Sequence, residues 1–115
     1  MHELGIVFYI IDDVTEVARA NDVTAVSRVT LELGEVSGVV PELLADAWRW
    51  AADRTDLLRG AELDWEQVDA VTLCEDCGCE YPTVEHGRTC PACGSEHTHL
   101  LRGREVSIRD ITVPA

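Results

Sequence analysis

Two cysteine pairs of identical spacing, Cys74-x2-Cys77 and Cys90-x2-Cys93, constrain this chain more than any other feature. Twelve residues separate the pairs, and Gly78 and Gly94 follow the second cysteine of each, where a tight turn gains from free access to positive φ. In each pair two thiolates can grip one ion while backbone amides of the turn bond back to sulfur. Together the pairs supply four sulfurs for a tetrahedral site with bonds of about 2.3 Å. A closed four-sulfur shell leaves no position for a substrate, so the site reads as structural. The metal reads as zinc; the alternative, iron in a rubredoxin-like knuckle, would normally sit in more apolar surroundings than CEDCGCEYPTVEHG.

From about Thr72 to Gly103 regular periodicity vanishes, and the segment is too short to hold itself by hydrophobic burial. Metal binding is therefore expected to supply most of its folding energy. The fifth cysteine, Cys79, reads as a spare thiol. His86, His97 and His99 read as exposed loop histidines beside a shell that four cysteines already complete.

The flanking sequence is regular. Ile6, Val7, Ile10, Ile11, Val14, Val17 and Ala18 recur at helical spacing, with Asp12, Asp13, Glu16 and Arg19 outside, which predicts an amphipathic helix over 4–20 that stops near Asn21-Asp22. Val29, Leu31 and Leu33 alternate with Arg28, Thr30 and Glu32 as in a strand with one buried face. GEVSGVVPELL turns into a second helix with Pro41 at its first position and Glu42 in its first turn. Leu43, Leu44, Ala47, Trp48 and Ala51 make its core stripe. Leu63 and Trp65 mark a second strand, and Val106 and Ile108 a closing one, with an irregular step to Ile111. The expected fold is α+β: two helices on a small three-stranded sheet (residues 1–71 and 104–115), with an inserted zinc-ribbon-like domain over 72–103.

Charge narrows the function. The 115 residues carry 9 Lys+Arg against 22 Asp+Glu, a formal net charge of −13. That excess repels phosphate backbones and anionic membranes and suits cationic partners. GIVFYII ends at Asp12-Asp13 without a basic region or cleavage site ahead of it, so no signal peptide or membrane span is expected. The protein is expected in the cytoplasm, with its cysteines reduced or metal-bound. No nucleophile triad or phosphate-cradling glycine loop is present, which argues against an enzyme. A zinc-ribbon adaptor for nucleic acid or a transcription complex would explain the knuckles, but Arg88 and Arg102 among several acids form no basic patch.

The opening MHE adds a second metal motif. A chain beginning Met-His keeps its methionine, so the Met1 amine, the His2 backbone nitrogen and the His2 imidazole lie in one contiguous chelate. Nitrogen-rich tetragonal coordination suits Ni(II) or Cu(II). Glu3 can add an oxygen ligand or orient the imidazole, and it sits favourably at a helix N-terminus.

MHELGIV at the start, LELGEVSGVVPELL in the middle and the CxxC…CPxCG knuckle near the end, in a chain of this length, resemble the HypA/HybF family of nickel metallochaperones for [NiFe]-hydrogenase maturation. The resemblance runs over essentially the whole chain. It implies an α/β nickel-binding domain, with Ni(II) held through Met1, His2 and Glu3, and Zn(II) on Cys74, Cys77, Cys90 and Cys93. It also implies delivery of nickel to a partner GTPase (HypB) or to the hydrogenase large subunit, and in some relatives a role in urease maturation. Some relatives add an aspartate ligand in the loop before the second helix, where this chain has Val40; Glu35 and Glu42 are the nearby carboxylates.

Overall fold

The computed structural model describes residues 3–115. In chain order the elements are α1 (Glu3–Ala20), β1 (Arg28–Gly34), α2 (Pro41–Ala52), a 3-10 turn (Asp56–Leu58), β2 (Glu62–Val68), β3 (Val71–Cys74), β4 (Glu80–Pro82), α3 (Thr83–His86), β5 (Thr98–Arg102) and β6 (Val106–Thr112). They form two three-stranded sheets, ordered β2-β1-β6 and β4-β3-β5. The α+β class expected from the sequence is the class observed.

The chain divides into two compact units. One holds the chain up to Leu31 together with Val39–Glu66 and Ser107–Ala115; the other holds Glu32–Gly38 and Gln67–Val106. In the first, α1 and α2 pack against each other. Val7, Ile10, Ile11, Val14 and Ala18 of α1, Val29 and Leu31 of β1, and Leu44, Trp48, Ala51 and Ala52 of α2 are buried. Each large apolar side chain among them contributes about 1.5–3 kcal/mol relative to exposure. The Trp48 indole N–H is satisfied by the Ala61 carbonyl at 2.9 Å. Helix α1 ends at Ala20, and Asp22 takes the left-handed conformation (φ 55°) just beyond it.

Three residues expected in the core lie outside it. Val17, Leu43 and Trp65 are 49%, 52% and 44% exposed. At 100° per residue Leu43 is a full step round the helix from Leu44, and Val17 stands on the rim of the stripe centred on Val7, Val14 and Ala18. Trp65 alternates correctly along β2, but the strand is exposed along most of its length.

The second unit is organised where the sequence shows no period. Strand β3 pairs antiparallel with β4 (Thr72 opposite Tyr81) and with β5 (Leu73 opposite His99, Cys74 opposite Thr98). The segment Glu32–Gly38 is stitched to this unit by backbone bonds from Gly34 N–H to Glu105 O (2.9 Å), Glu35 N–H to Val68 O (2.8 Å) and Val36 N–H to Gly103 O (2.8 Å). The Glu35 carboxylate accepts the Ala70 N–H at 2.8 Å. Gly34 and Gly103 lie backbone to backbone: a Cβ on Gly34 would fall well inside contact distance of the Gly103 carbonyl, and Gly103 itself has φ +105°. Gly34→Ala is therefore expected to cost about 2–3 kcal/mol, through overpacking against backbone that cannot swing away. A melting temperature unchanged from wild type would contradict this close approach.

Candidate metal centre

The two cysteine pairs fold into matching knuckles. In the first, Gly78 N–H bonds to Cys74 O (2.9 Å) and Cys74 N–H to Cys79 O (2.9 Å); in the second, Gly94 N–H bonds to Cys90 O (2.8 Å) and Cys90 N–H to Ser95 O (2.9 Å). Gly78 and Gly94 have φ of 78° and 76°, which a side chain would strain. Repeated sequence spacing has thus become repeated backbone geometry, and each knuckle aims two sulfurs at one point.

The four Sγ atoms lie within 4.8 Å of one another. Across the knuckles, Cys74 to Cys93 and Cys77 to Cys90 are each 3.6 Å apart. A tetrahedron with metal–sulfur bonds of about 2.3 Å has edges of about 3.8 Å, so one ion fits the spacing. Among the described residues this is the group of Cys, His, Asp and Glu donors brought close enough to hold a metal. Cys74 and Cys90 are buried, and Cys77 and Cys93 are exposed although their sulfurs point to the same centre. Tyr81 packs against the buried pair and donates its hydroxyl to Gly87 O at 2.9 Å.

Four thiols at this separation cannot titrate alike. At Cys90, burial opposes ionisation, but amides of Cys93 and Ala92 and the neighbouring Cys77 and Cys93 thiols prevail and lower the thiol to about 6. At Cys77, the Cys79 amide favours the thiolate, yet hydrogen bonding with Cys90, burial, and hydrogen bonding with Cys93 and Cys74 push it up to about 12. The thiols push one another's ionisation apart, Cys90 downward and Cys77 upward, so a divalent cation must displace protons to complete the shell.

The remaining candidates take other positions. Cys79 is half-buried against the Cys74–Tyr81–Cys90 cluster, its thiol raised by burial and by Cys90, and it is not one of the four converging sulfurs. His97 Nδ1 lies 3.4 Å from Asp76 Oδ2, His99 Nδ1 3.6 Å from Glu75 Oε1 and His86 Nε2 3.7 Å from Glu85 Oε2. The Ser95 hydroxyl donates to Asp76 and holds its carboxyl below the usual range. Glu75 and Asp76 stand between the two cysteines of the first knuckle, so two carboxylates belong to the knuckle itself.

Of the N-terminal candidates, Met1 and His2 lie outside the described residues. Glu3 is 8% exposed, and its Oε2 accepts the Val40 N–H at 3.3 Å. Val40 is the N-cap of α2 and offers no side-chain cap of its own, so Glu3 satisfies an amide of the helix start from 37 residues away. Nothing local in the sequence signals this bond, because Val40 contributes only its backbone. Of the nearby carboxylates, Glu35 is engaged by Ala70, and Glu42 stands exposed in the first turn of α2.

A family of proteins described as hydrogenase/urease nickel incorporation metallochaperones, HypA, matches residues 1–113. The hydrogenase maturation factor HypA of Chlorobium phaeobacteroides (strain BS1) is 42% identical over 113 residues, covering 98% of this chain and 99% of that protein. The HypA of Streptomyces avermitilis is 40% identical over 110 residues, covering 94% and 83%. The solution structure of the Ni metallochaperone HypA from Helicobacter pylori superposes with a TM-score of 0.79 over 100% of this chain and 99% of that one, at 24% identity, which shows a shared fold. A fold of this type, matched along nearly its whole length in sequence as well as in shape, places the chain in the HypA family of hydrogenase maturation factors.

Proposed function

We propose that this chain is a nickel metallochaperone, not an enzyme: it binds Ni(II) through Met1, His2 and Glu3 and delivers it for [NiFe]-hydrogenase maturation, while zinc on Cys74, Cys77, Cys90 and Cys93 holds the second unit folded. The observation that carries this reading is the closed geometry of the four-sulfur centre. Its donors fill a tetrahedron by themselves, so the centre suits a resident structural ion and not a cargo that must leave. A chain-end chelate of amine, backbone nitrogen and imidazole has the opposite character. It has few ligands, open coordination and nitrogen donors of the kind that suit Ni(II) or Cu(II). Competition with protons at the amine and imidazole gives nickel release a natural dependence on pH.

Membership of the family supports a place in hydrogenase maturation. The receiving protein is then the maturation GTPase HypB or the hydrogenase large subunit, with urease maturation as a further destination, and the setting is the cytoplasm. Among the described residues no helix is long and apolar enough to cross a membrane. Carboxylates of Glu75, Asp76 and Glu85 around the knuckles oppose a nucleic-acid adaptor.

The test is calorimetric titration of nickel into zinc-loaded protein with its authentic N-terminus, beside a version extended ahead of Met1. The reading expects about one equivalent bound to the first and weak binding to the second. Equal binding, or none, removes it.

Glu3 separates two contributions. Glu3→Ala removes the acceptor of the Val40 N–H and is expected to destabilise the fold by about 1 kcal/mol, as loss of a helix cap does. Glu3→Gln keeps an acceptor there and should preserve most of the stability, yet weaken nickel binding, because the charge is gone. Thermal melts run beside nickel titrations check both halves. Wild-type nickel affinity in the Gln variant would remove the carboxylate from the ligand set.

A further inference from the structure

The helix pair of the first unit carries an apolar ridge on its outer side. Leu4 and Phe8, one turn apart on α1, are 42% and 47% exposed; Leu43 and Trp50, two turns apart on α2, are 52% and 48% exposed. Phe8 meets Trp50 edge to face, with ring centroids 6.5 Å apart and planes at 73°, so the ridge bridges both helices. Trp50 is held in place. The Arg54 guanidinium stacks 3.9 Å from its ring centroid and donates Nη1 to the Trp50 carbonyl at 2.6 Å. The chain has a single phenylalanine and three tryptophans, and folding leaves the phenylalanine and one tryptophan touching each other in solvent. Contiguous exposed apolar side chains of this size mark an interaction surface. A pre-positioned tryptophan is the type of side chain that dominates binding energy.

Charge identifies the occupant. Asp12 lies one turn beyond Phe8, Glu16 the turn after, and Glu42 beside Leu43; all three are exposed, and among the described residues none enters an ion pair. Arg49 is taken by Asp46, and Arg54 by Trp50. A second copy on this face would set the same carboxylates against one another across a two-fold axis, in a chain already at −13. A partner with an apolar segment flanked by lysine or arginine meets no such repulsion and gains at the rim.

We propose that the Leu4–Phe8–Leu43–Trp50 ridge is the docking surface for the protein that exchanges nickel with this chain, engaging an apolar, basic-flanked segment of that protein. This rests on the nickel-delivery reading. Leu4 follows Glu3 directly in sequence, and Leu43 stands three residues beyond Val40, whose amide donates to Glu3, so a partner seated on the ridge is beside Glu3, one of the proposed nickel ligands.

The test titrates zinc-loaded full chain against two purified proteins, the cognate maturation GTPase and the hydrogenase large subunit, at low and physiological salt. With at least one of them, Phe8→Ala and Trp50→Ala are expected to weaken binding about tenfold or more. Glu42→Lys should lower affinity less and flatten the salt dependence. Leu43→Ser, at the most exposed of the four positions, guards against an effect on folding, and each variant should still take up one equivalent of nickel. Unchanged affinity for both proteins in all the apolar variants overturns the proposal. So does failure of the wild type to bind either protein, or loss of a self-dimer in sedimentation with partner affinity intact. If the wild type binds no nickel, the delivery reading fails separately, because partner affinity is measured on its own.

Discussion

Stripping the metal from the four-cysteine centre is expected to unfold the β4-β3-β5 sheet. The strands are three to five residues long, and the buried cluster beneath them comprises Cys74, Tyr81 and Cys90 with Cys79 packed alongside. Two of those side chains, Cys74 and Cys90, belong to the proposed zinc shell, so little of this cluster would survive without the ion. Structural zinc in small domains contributes about 10–16 kcal/mol of apparent binding energy at neutral pH, far more than these strands can supply alone. Cys90→Ser should reproduce the effect of a chelator, since Cys90 is buried in that cluster and is one of the four converging sulfurs. Amide exchange is the direct readout. Protection at Thr72, Leu73 and Leu100 should collapse on chelation and return with zinc; protection that persists in the chelated protein would sink the idea.

The direction with pH follows from the same sulfurs. Cys77, pushed up to about 12, holds its proton through the neutral range. Zinc must displace it, so zinc affinity should fall as pH is lowered, and binding should release protons. Competition against a chromophoric chelator at several pH values measures the slope. A flat profile would mean that the cluster is already fully ionised.

His2→Ala should remove nickel binding while leaving zinc content and melting temperature at their wild-type values. In the proposed site the imidazole completes a chelate with the Met1 amine and the His2 backbone nitrogen, and without it too few donors would remain to hold the ion. Changes even in the partners that orient a ligand cost 10–100-fold, so losing a ligand itself is expected to cost on the order of a hundredfold or more. Stability should move by less than about 0.5 kcal/mol, because the change is expected to remove a nickel ligand and none of the four converging cysteines. The contrast with Cys90→Ser is the point of making both variants: one should lose nickel and keep the fold, the other should lose the fold of one unit. Retention of nickel by His2→Ala at wild-type affinity would refute the N-terminal site.

What could be read in the chain follows the range of each interaction. The paired cysteines were legible because a knuckle is local: six residues and their own amides shape it, and both copies reach the same geometry. The helices were legible from their 3.6-residue period, although the rims of their stripes were not. Leu43 and Val17 look like core by composition, and only the packing of α1 on α2 decides which flank is covered. Strands β3, β4 and β5 were not legible, because three to five residues each are too few for a period-2 pattern to stand out from the irregular sequence around them.

By itself, then, the sequence determined that four cysteines come in two matching knuckles, where α1 starts and stops, where α2 starts, and the excess of negative charge, since all of these depend on residue type and covalent spacing. Only the tertiary structure decided that Glu3 reaches the amide of Val40, that Glu35 clamps Ala70, that Gly34 must be bare against Gly103, and that Phe8 and Trp50 meet in solvent. Those contacts join residues 35 to 69 positions apart, and no local pattern encodes them, because each depends on where packing brings a backbone amide, a carbonyl or a ring.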